Sequence, residues 1–404
     1  MKEILTQVLS WRDQGLKVAL AKVVAVEGSS PREVGATMAV NERAEVAGSV
    51  SGGCVEGAVV QEALGAMGAS EATMKSVGIL PPGDDSLIGC ARTVTFGYSD
   101  DEAFAVGLTC GGTLHILVQP ELPSFIDLLA EKLSKDEPLV VATVFATEDL
   151  SQDTTSEYFA EMNQGVMLPS TGASMMVDSK GEVFGSLGNA DLDRVVKRDA
   201  QAALEHGRST RRHFGRSGQS RAQEVGVVFE VYAPPPRMLI FGAVDFTAAL
   251  ARVSKVLGYQ VTVCDARPIF ATKERFPMAD QVEVDWPDRY IEKVGAELGP
   301  SDAICVLTHD PKFDVPAITE ALKTKVGYIG AMGSRRTHSE RLNRLIETGI
   351  DPKDLDRVMG PIGLDIGATS PEETAISIMA EVIACSAKKN LASLKDSQGP
   401  IHVR

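Results

Sequence analysis

Four short apolar runs mark the first half of the chain. VALAKVVAV (Val18 to Val26), LHILVQP (Leu114 to Pro120), LVVATVFAT (Leu139 to Thr147) and VVFEVYAP (Val227 to Pro234) are rich in β-branched residues and read as strands. The N-terminal MKEILTQVLSWRDQG spaces its apolar residues as a helix does. Between the strands the pattern repeats. Gly35 to Leu64 lies over the stretch from Gly172 to Leu204, at a constant offset of 137 with no gap through the first thirty positions, with Val40 on Val177, Gly48 on Gly185 and Ser49 on Ser186. Each copy reads as strand, turn, strand, Gly-rich loop, helix. The pattern predicts a duplicated α+β unit, roughly residues 1–120 and 121–233.

The pattern changes after APPPR, Ala233 to Arg237. Three prolines stiffen this stretch and bar a helix. MLIFGA then reads as a strand, FTAALARVSKVLG as a helix ending at Gly258, and YQVTVCDA as a second strand. This βαβ unit, with further strands at AICVLTHD and KVGYIGAMG, predicts a Rossmann-like doubly wound parallel sheet over 238–404. Near its end Ser370, Pro371 and Glu373 spell an N-cap, an N1 proline and a capping box. The expected fold class is α/β: a duplicated α+β region followed by this Rossmann-like domain.

Composition narrows the function. The 404 residues are 44% hydrophobic and carry a net charge of −15, which disfavours nucleic acid and anionic membrane surfaces as partners. No apolar run reaches the ~18 residues of a membrane span. The six cysteines, Cys54, Cys90, Cys110, Cys264, Cys305 and Cys385, form no CxxC pair, and a reduced, cytoplasmic protein is expected.

The copies differ where chemistry is expected. In GSVSGGCVEG, Cys54 aligns with Asp191, and Gly52-Gly53 with Asn189-Ala190. The scaffold occurs twice and the thiol once. A thiol at a helix N-terminus gains from the dipole and free N–H groups, and glycines let a ligand approach the backbone. Ser51, Gly52, Gly53, Cys54 and Glu56 are therefore candidate ligand contacts, as an anion pocket, a soft-metal ligand or a sulfur carrier; a nearby Glu56 opposes the thiolate. GLTCGGTLHI adds Cys110, Gly111 and Gly112, and EGSSPREVGATM adds Arg32, suited to a phosphate or carboxylate.

In the second half the Rossmann fingerprint is broken. Gly242 survives, but Val244 and Asp245 follow where glycine and an open approach to pyrophosphate are needed. Asp265 ends the second strand, where a ribose-binding acid belongs. His309, Asp310 and Asp314 in THDPKFD, Gly330, Gly333, Ser334 and Arg335 in GAMGSRR, and Asp365 in PIGLDIG form a candidate polar cleft for a nucleotide, with a divalent cation on the aspartates.

GSSPREVGATM, SGGCVEG, GLTCGGTL, THDPKFD, GYIGAMGSRR and GPIGLDIGATSPEE, in this order from about residue 10 to 386, resemble the XdhC/CoxI family of molybdoenzyme maturation factors. The resemblance implies an accessory protein, more a chaperone than a turnover enzyme. It would bind molybdenum cofactor, support exchange of an oxo for a sulfido ligand with a cysteine desulfurase, and deliver the cofactor to a client such as xanthine dehydrogenase or aerobic carbon monoxide dehydrogenase. It also implies a homodimer. Cys54, with Cys110 as companion, would be the cofactor contact or sulfur-handling thiol. Many members read GAGH where this chain reads GAVDF. Two other classes stay open: an NAD(P)-dependent oxidoreductase and a thiol sulfur-transfer protein without its own cofactor.

Overall fold

A computed structural model of the chain describes residues 1–27, 32–76, 78, 88–97, 112–148, 167–219, 222–387, 393 and 395. The described chain divides into two compact units at Pro234/Pro235.

In the first unit the apolar runs are strands of two antiparallel sheets. The elements of the first copy are α1 (Leu5–Asp13), β1 (Val18–Glu27), β2 (Thr37–Asn41), β3 (Val46–Gly48), α2 (Glu56–Met67), α3 (Glu71–Ser76), β4 (Arg92–Phe96) and β5 (Thr113–Gln119). Those of the second are α4 (Ile126–Ser134), β6 (Leu139–Thr147), β7 (Ser174–Asp178), β8 (Val183–Ser186), α5 (Ala190–His206), β9 (Thr210–Phe214) and β10 (Val225–Tyr232). The sheet orders are β3-β2-β1-β5-β4 and β8-β7-β6-β10-β9, the same topology twice. Register agrees residue by residue: Leu20 pairs Gln119 in one sheet, Val141 pairs Glu230 in the other. Even the irregularity recurs, since β1 skips Val24 against β5 and β6 skips Phe145 against β10.

Alternation along β1 explains the layers. Ala19, Ala21 and Val23 face α2 and pack with Val59, Ala63 and Leu64. On the other face, Val18 and Leu20 pack under Val8 and Trp11 of α1. Further along that face, Val24 meets Leu117, Phe145 and Val228. Those four residues are two pairs of counterparts, Val24 with Phe145 and Leu117 with Val228, so an approximate two-fold axis relates the copies there. Between these apolar positions lies Lys22. Its ammonium is ion-paired with Glu230, with side chains 2% and 3% exposed, and sits 3.5 Å from the hydroxyl of Thr143. Thr143 is the counterpart of Lys22, and Gln119 that of Glu230. The second side of the axis is neutral: Ser174 donates to Thr143 at 3.2 Å, and Gln119 reaches the Gly172 carbonyl at 2.9 Å.

In both copies a glycine lies near the end of the third strand. Gly48 and Gly185 have φ +83° and +84°, and a Cβ on either would lie 2.4 Å or 2.6 Å from the carbonyl of Thr37 or Ser174. Only glycine fits.

The second unit has six parallel strands in the order β13-β12-β11-β14-β15-β16. These are β11 (Arg237–Phe241), β12 (Gln260–Cys264), β13 (Gln281–Glu283), β14 (Ala303–Val306), β15 (Tyr328–Ala331) and β16 (Val358–Met359). Helices α6 (Asp245–Val256) and α10 (Pro371–Ala387) cover one face through Leu250, Ile378 and Met379. Helices α7 (Pro287–Val294), α8 (Pro311–Leu322) and α9 (Arg335–Glu347) cover the other through Ile291, Ile318 and Leu345. The strand order reverses between β11 and β14, so the crevice for a ligand lies between Gly242 and Thr308. Ser370 and Glu373 exchange the reciprocal bonds of a capping box at α10. Among the described residues no helix is long and apolar enough to cross a membrane.

Candidate functional site

The SGGC loop joins β3 to α2. Gly52 and Gly53 are exposed, Ser51 is buried and Cys54 is half-buried, packed partly against the core under α2. The Ser51 hydroxyl oxygen accepts from the Cys54 and Val55 amides at 2.9 and 3.0 Å, which fixes the loop just ahead of the helix. From the sequence, Glu56 is expected to face a ligand. Instead its carboxylate turns back into its own loop. It accepts from the amides of Ser51 (2.9 Å), Gly52 (3.0 Å) and Gly53 (2.9 Å), from the Ser49 hydroxyl (2.7 Å) and from the Ser51 hydroxyl. Burial alone would raise its pKa. The Ser51 and Ser49 hydroxyls and the Ser51 amide outweigh that and hold it down to about 2. The anion pocket foreseen at the glycines is thus filled by the chain's own carboxylate. Glycine backbone is left open here, with nothing within 4 Å of a Cβ on Gly53, and next to it lies the half-buried Cys54, which is in no disulfide.

The second copy keeps the frame and lacks the thiol. Asp193, counterpart of Glu56, accepts from the Ser186 hydroxyl at 2.7 Å and the Leu187 amide at 2.8 Å. Asn189 caps α5 through the Asp191 and Leu192 amides. The acid and serine belong to the scaffold. The contact with two successive glycine amides is peculiar to the first copy.

Arg32 is exposed. Gly112 is buried at the start of β5, whereas Cys110 and Gly111 lie outside the described residues.

In the second unit the expected ribose acid is already engaged. Asp265 accepts from the Ala243 amide at 2.7 Å, from the Arg267 amide and Nε, both at 2.9 Å, and from Arg267 Nη2 at 2.8 Å. Burial works to raise its pKa, but Arg267 and the Ala243 amide hold it below the usual range. Arg267 lies 4.5 Å over the Phe270 ring. Gly242 admits no side chain, because a Cβ there would lie 2.9 Å from the Thr308 methyl carbon. The candidate cation ligands are likewise engaged. Asp310 caps α8 and pairs with Lys312 at 3.0 Å. Asp314 is buried, bonded to the Thr308 hydroxyl and to Arg341 at 2.9 Å, and burial lifts its pKa despite them. Asp365 is exposed. Among the described residues no three His, Cys, Asp or Glu side chains gather to hold a metal. His309 is exposed at the crevice. Gly330 sits inside β15, where Ile362 and Tyr328 close the space a Cβ would need. The turn before α9 is formed by Gly333 and Ser334, whose hydroxyl oxygen accepts from the Thr337 amide at 3.1 Å, with Arg335 exposed beside it.

The profile described as the XdhC Rossmann domain matches residues 238–382, and that of the XdhC and CoxI family matches residues 11–78 and 168–215. The chain belongs to the XdhC and CoxI family. The Cys54 loop lies in the first matched stretch of that family's profile, and its counterpart loop lies in the second. Among curated relatives, a probable subunit of xanthine dehydrogenase from Bacillus subtilis (strain 168) is 27% identical over 367 residues, 91% of this chain and 92% of that protein. The molybdenum cofactor insertion chaperone PaoD of Escherichia coli (strain K12) is 24% identical over 369 residues, 91% of this chain and 83% of that protein. A crystal structure of a xanthine dehydrogenase from Bacillus halodurans superposes with a TM-score of 0.57 at 23% identity, covering 96% of this chain and 97% of that one. At that identity the likeness speaks for the fold alone.

Proposed function

We propose that this protein is a maturation factor that receives molybdenum cofactor and passes it to a client molybdoenzyme of the xanthine dehydrogenase or carbon monoxide dehydrogenase type. One observation carries the reading. The chain matches the insertion chaperone over most of both lengths, and of its two corresponding loops only one carries the thiol, next to open glycine backbone. Molybdenum cofactor, the cargo, is a flat pterin with soft sulfur donors and an anionic phosphate. The residues fit it in part. Gly53, with open space where a Cβ would stand, leaves room for a flat face, and Cys54 supplies a thiol. The loop amides do not fit its phosphate, because Glu56 holds them. Arg32, exposed in the same half of the first unit, is the candidate for that charge.

In this reading Cys54 contacts the cargo or carries sulfur to it from a cysteine desulfurase, Cys110 is its companion, and the working form is a cytoplasmic homodimer. An NAD(P) oxidoreductase is disfavoured by Asp265, whose carboxylate already has four donors from Arg267 and Ala243. The test is anaerobic equilibrium binding of molybdenum cofactor to wild type and Cys54→Ala. Tight binding that weakens on substitution supports the reading. Full binding and full client activation by Cys54→Ala would sink the role given to the thiol.

A further inference from the structure

We propose that Glu56 is the positioning residue of the Cys54 thiol. It acts as an internal anion that locks the glycine loop and sets the charge felt by the sulfur. This rests on the reading of Cys54 as the working thiol. Three successive amides, those of Ser51, Gly52 and Gly53, converge on one carboxylate at 2.9 to 3.0 Å. These are the three peptide units leading into Cys54. Gly52 and Gly53 have φ +83° and +120°, which side-chain-bearing residues rarely adopt, so without the carboxylate the two glycines would be free to sample many conformations. The Ser51 hydroxyl both donates to Glu56 and accepts from the Cys54 amide. The path from carboxylate to cysteine backbone is therefore two hydrogen bonds long.

The second copy is an internal control. Its acid, Asp193, is one methylene shorter, and the described bonds reach only the Leu187 amide and the Ser186 hydroxyl. The residues aligned with the glycines are Asn189 and Ala190, and Asn189 caps the helix itself. Helix capping thus needs neither the long acid nor the glycines. The longer acid accompanies the copy that holds the thiol. Its negative charge also opposes the helix N-terminal field that would otherwise favour thiolate. Glu56 thereby sets a negative charge against that field while holding the loop that carries the sulfur in one place.

The test uses the full chain and reads thiol chemistry, not cofactor binding. The rate of Cys54 alkylation by iodoacetamide is followed against pH by peptide mass spectrometry, with the exposed Cys90 as reference in the same sample. Amide exchange of Gly52 and Gly53 is followed in parallel. Glu56→Gln keeps the shape and removes the charge. It should move the Cys54 profile to lower pH, speed alkylation at pH 7 roughly threefold or more and accelerate both amides, with Cys90 unchanged. Asp193→Asn should do none of this. A Cys54 profile superimposable on wild type in Glu56→Gln, or one shifted as far by Asp193→Asn, overturns the proposal. Should Glu56→Gln not fold, Ser49→Ala removes one of the five donors, and unchanged exchange there of the Gly53 amide, which donates to Glu56 and not to Ser49, also overturns it. A shifted profile in a protein that binds no molybdenum cofactor would leave Glu56 in this role and remove the functional reading instead.

Discussion

Replacing Lys22 by methionine removes the cation facing Glu230 while keeping the length and apolar stem of the side chain. The carboxylate then stays between two sheets, 3% exposed. Among the described hydrogen bonds the donor left to it is the Tyr232 hydroxyl, 3.3 Å away, at the long end for an O–H donor, and the N-terminal ammonium of Met1 also attracts it. Breaking a buried pair from one side costs about 3–5 kcal/mol, because the stranded charge keeps its desolvation penalty without its partner. For a unit of this size that lowers the unfolding midpoint by roughly 6–20 °C. The neutral side of the axis shows how the cost is relieved. Lys22→Thr with Glu230→Gln would copy the Thr143 and Gln119 arrangement and recover most of the loss, leaving a deficit of about 1 kcal/mol or less. The assay is scanning calorimetry of the wild type, of Lys22→Met, and of Lys22→Thr, Glu230→Gln and their double variant, the last three closing the cycle that gives the coupling directly. If Lys22→Met cost under about 1 kcal/mol, or the double variant lost as much as the two singles together, the ion pair would not be the buried, mutually dependent unit described.

Three further outcomes follow from the geometry. Glu56 ionises in the folded protein at about 2, below the ~4.3 of a free glutamate. Its contribution to stability is therefore complete above about pH 4.3 and is lost as the pH falls through about 2; carbon-detected NMR titration of its carboxyl should show the low midpoint, and one near 4 would refute the clamp. Gly48→Ala and Gly185→Ala should each cost about 1–3 kcal/mol from the positive φ and more from contact with the Thr37 or Ser174 carbonyl, while Gly53→Ala, at positive φ but with open space, should show the strain cost alone in denaturant unfolding. Added NAD(H) or NADP(H) should leave the melting temperature unchanged, and a shift of several degrees with either would mean that Arg267 releases Asp265 to a ribose.

Much of the fold was legible because it is written twice. The offset of 137 between Gly35 and Leu64 and their counterparts is reproduced in the paired registers of the two sheets. The apolar runs became the strands because β-branched residues alternating across a half-buried sheet have few other stable arrangements. The direction of side chains was not legible. Spacing put Glu56 two residues after Cys54 but could not say that it folds back over three amides. The signal was present all the same: the serine and acid recur at Ser186 and Asp193 in the copy without the thiol, which marks them as scaffold. Asp265 reads as a ribose ligand until Arg267, two residues on, is allowed to compete for it. Lys22 and Glu230 each sit alone in an apolar strand, and two opposite charges so placed are a sign of pairing that local pattern reading passes over.

The unequal axis also fixes which half can associate with which. In a hypothetical pairing of the first half with a copy of itself, Lys22 would meet a second Lys22 and a glutamine, two like charges with no carboxylate between them. In the same pairing of the second half, Glu230 would face threonine and no cation. The halves are complementary only to each other. These two positions therefore leave neither half a symmetric pairing with a copy of itself through this face.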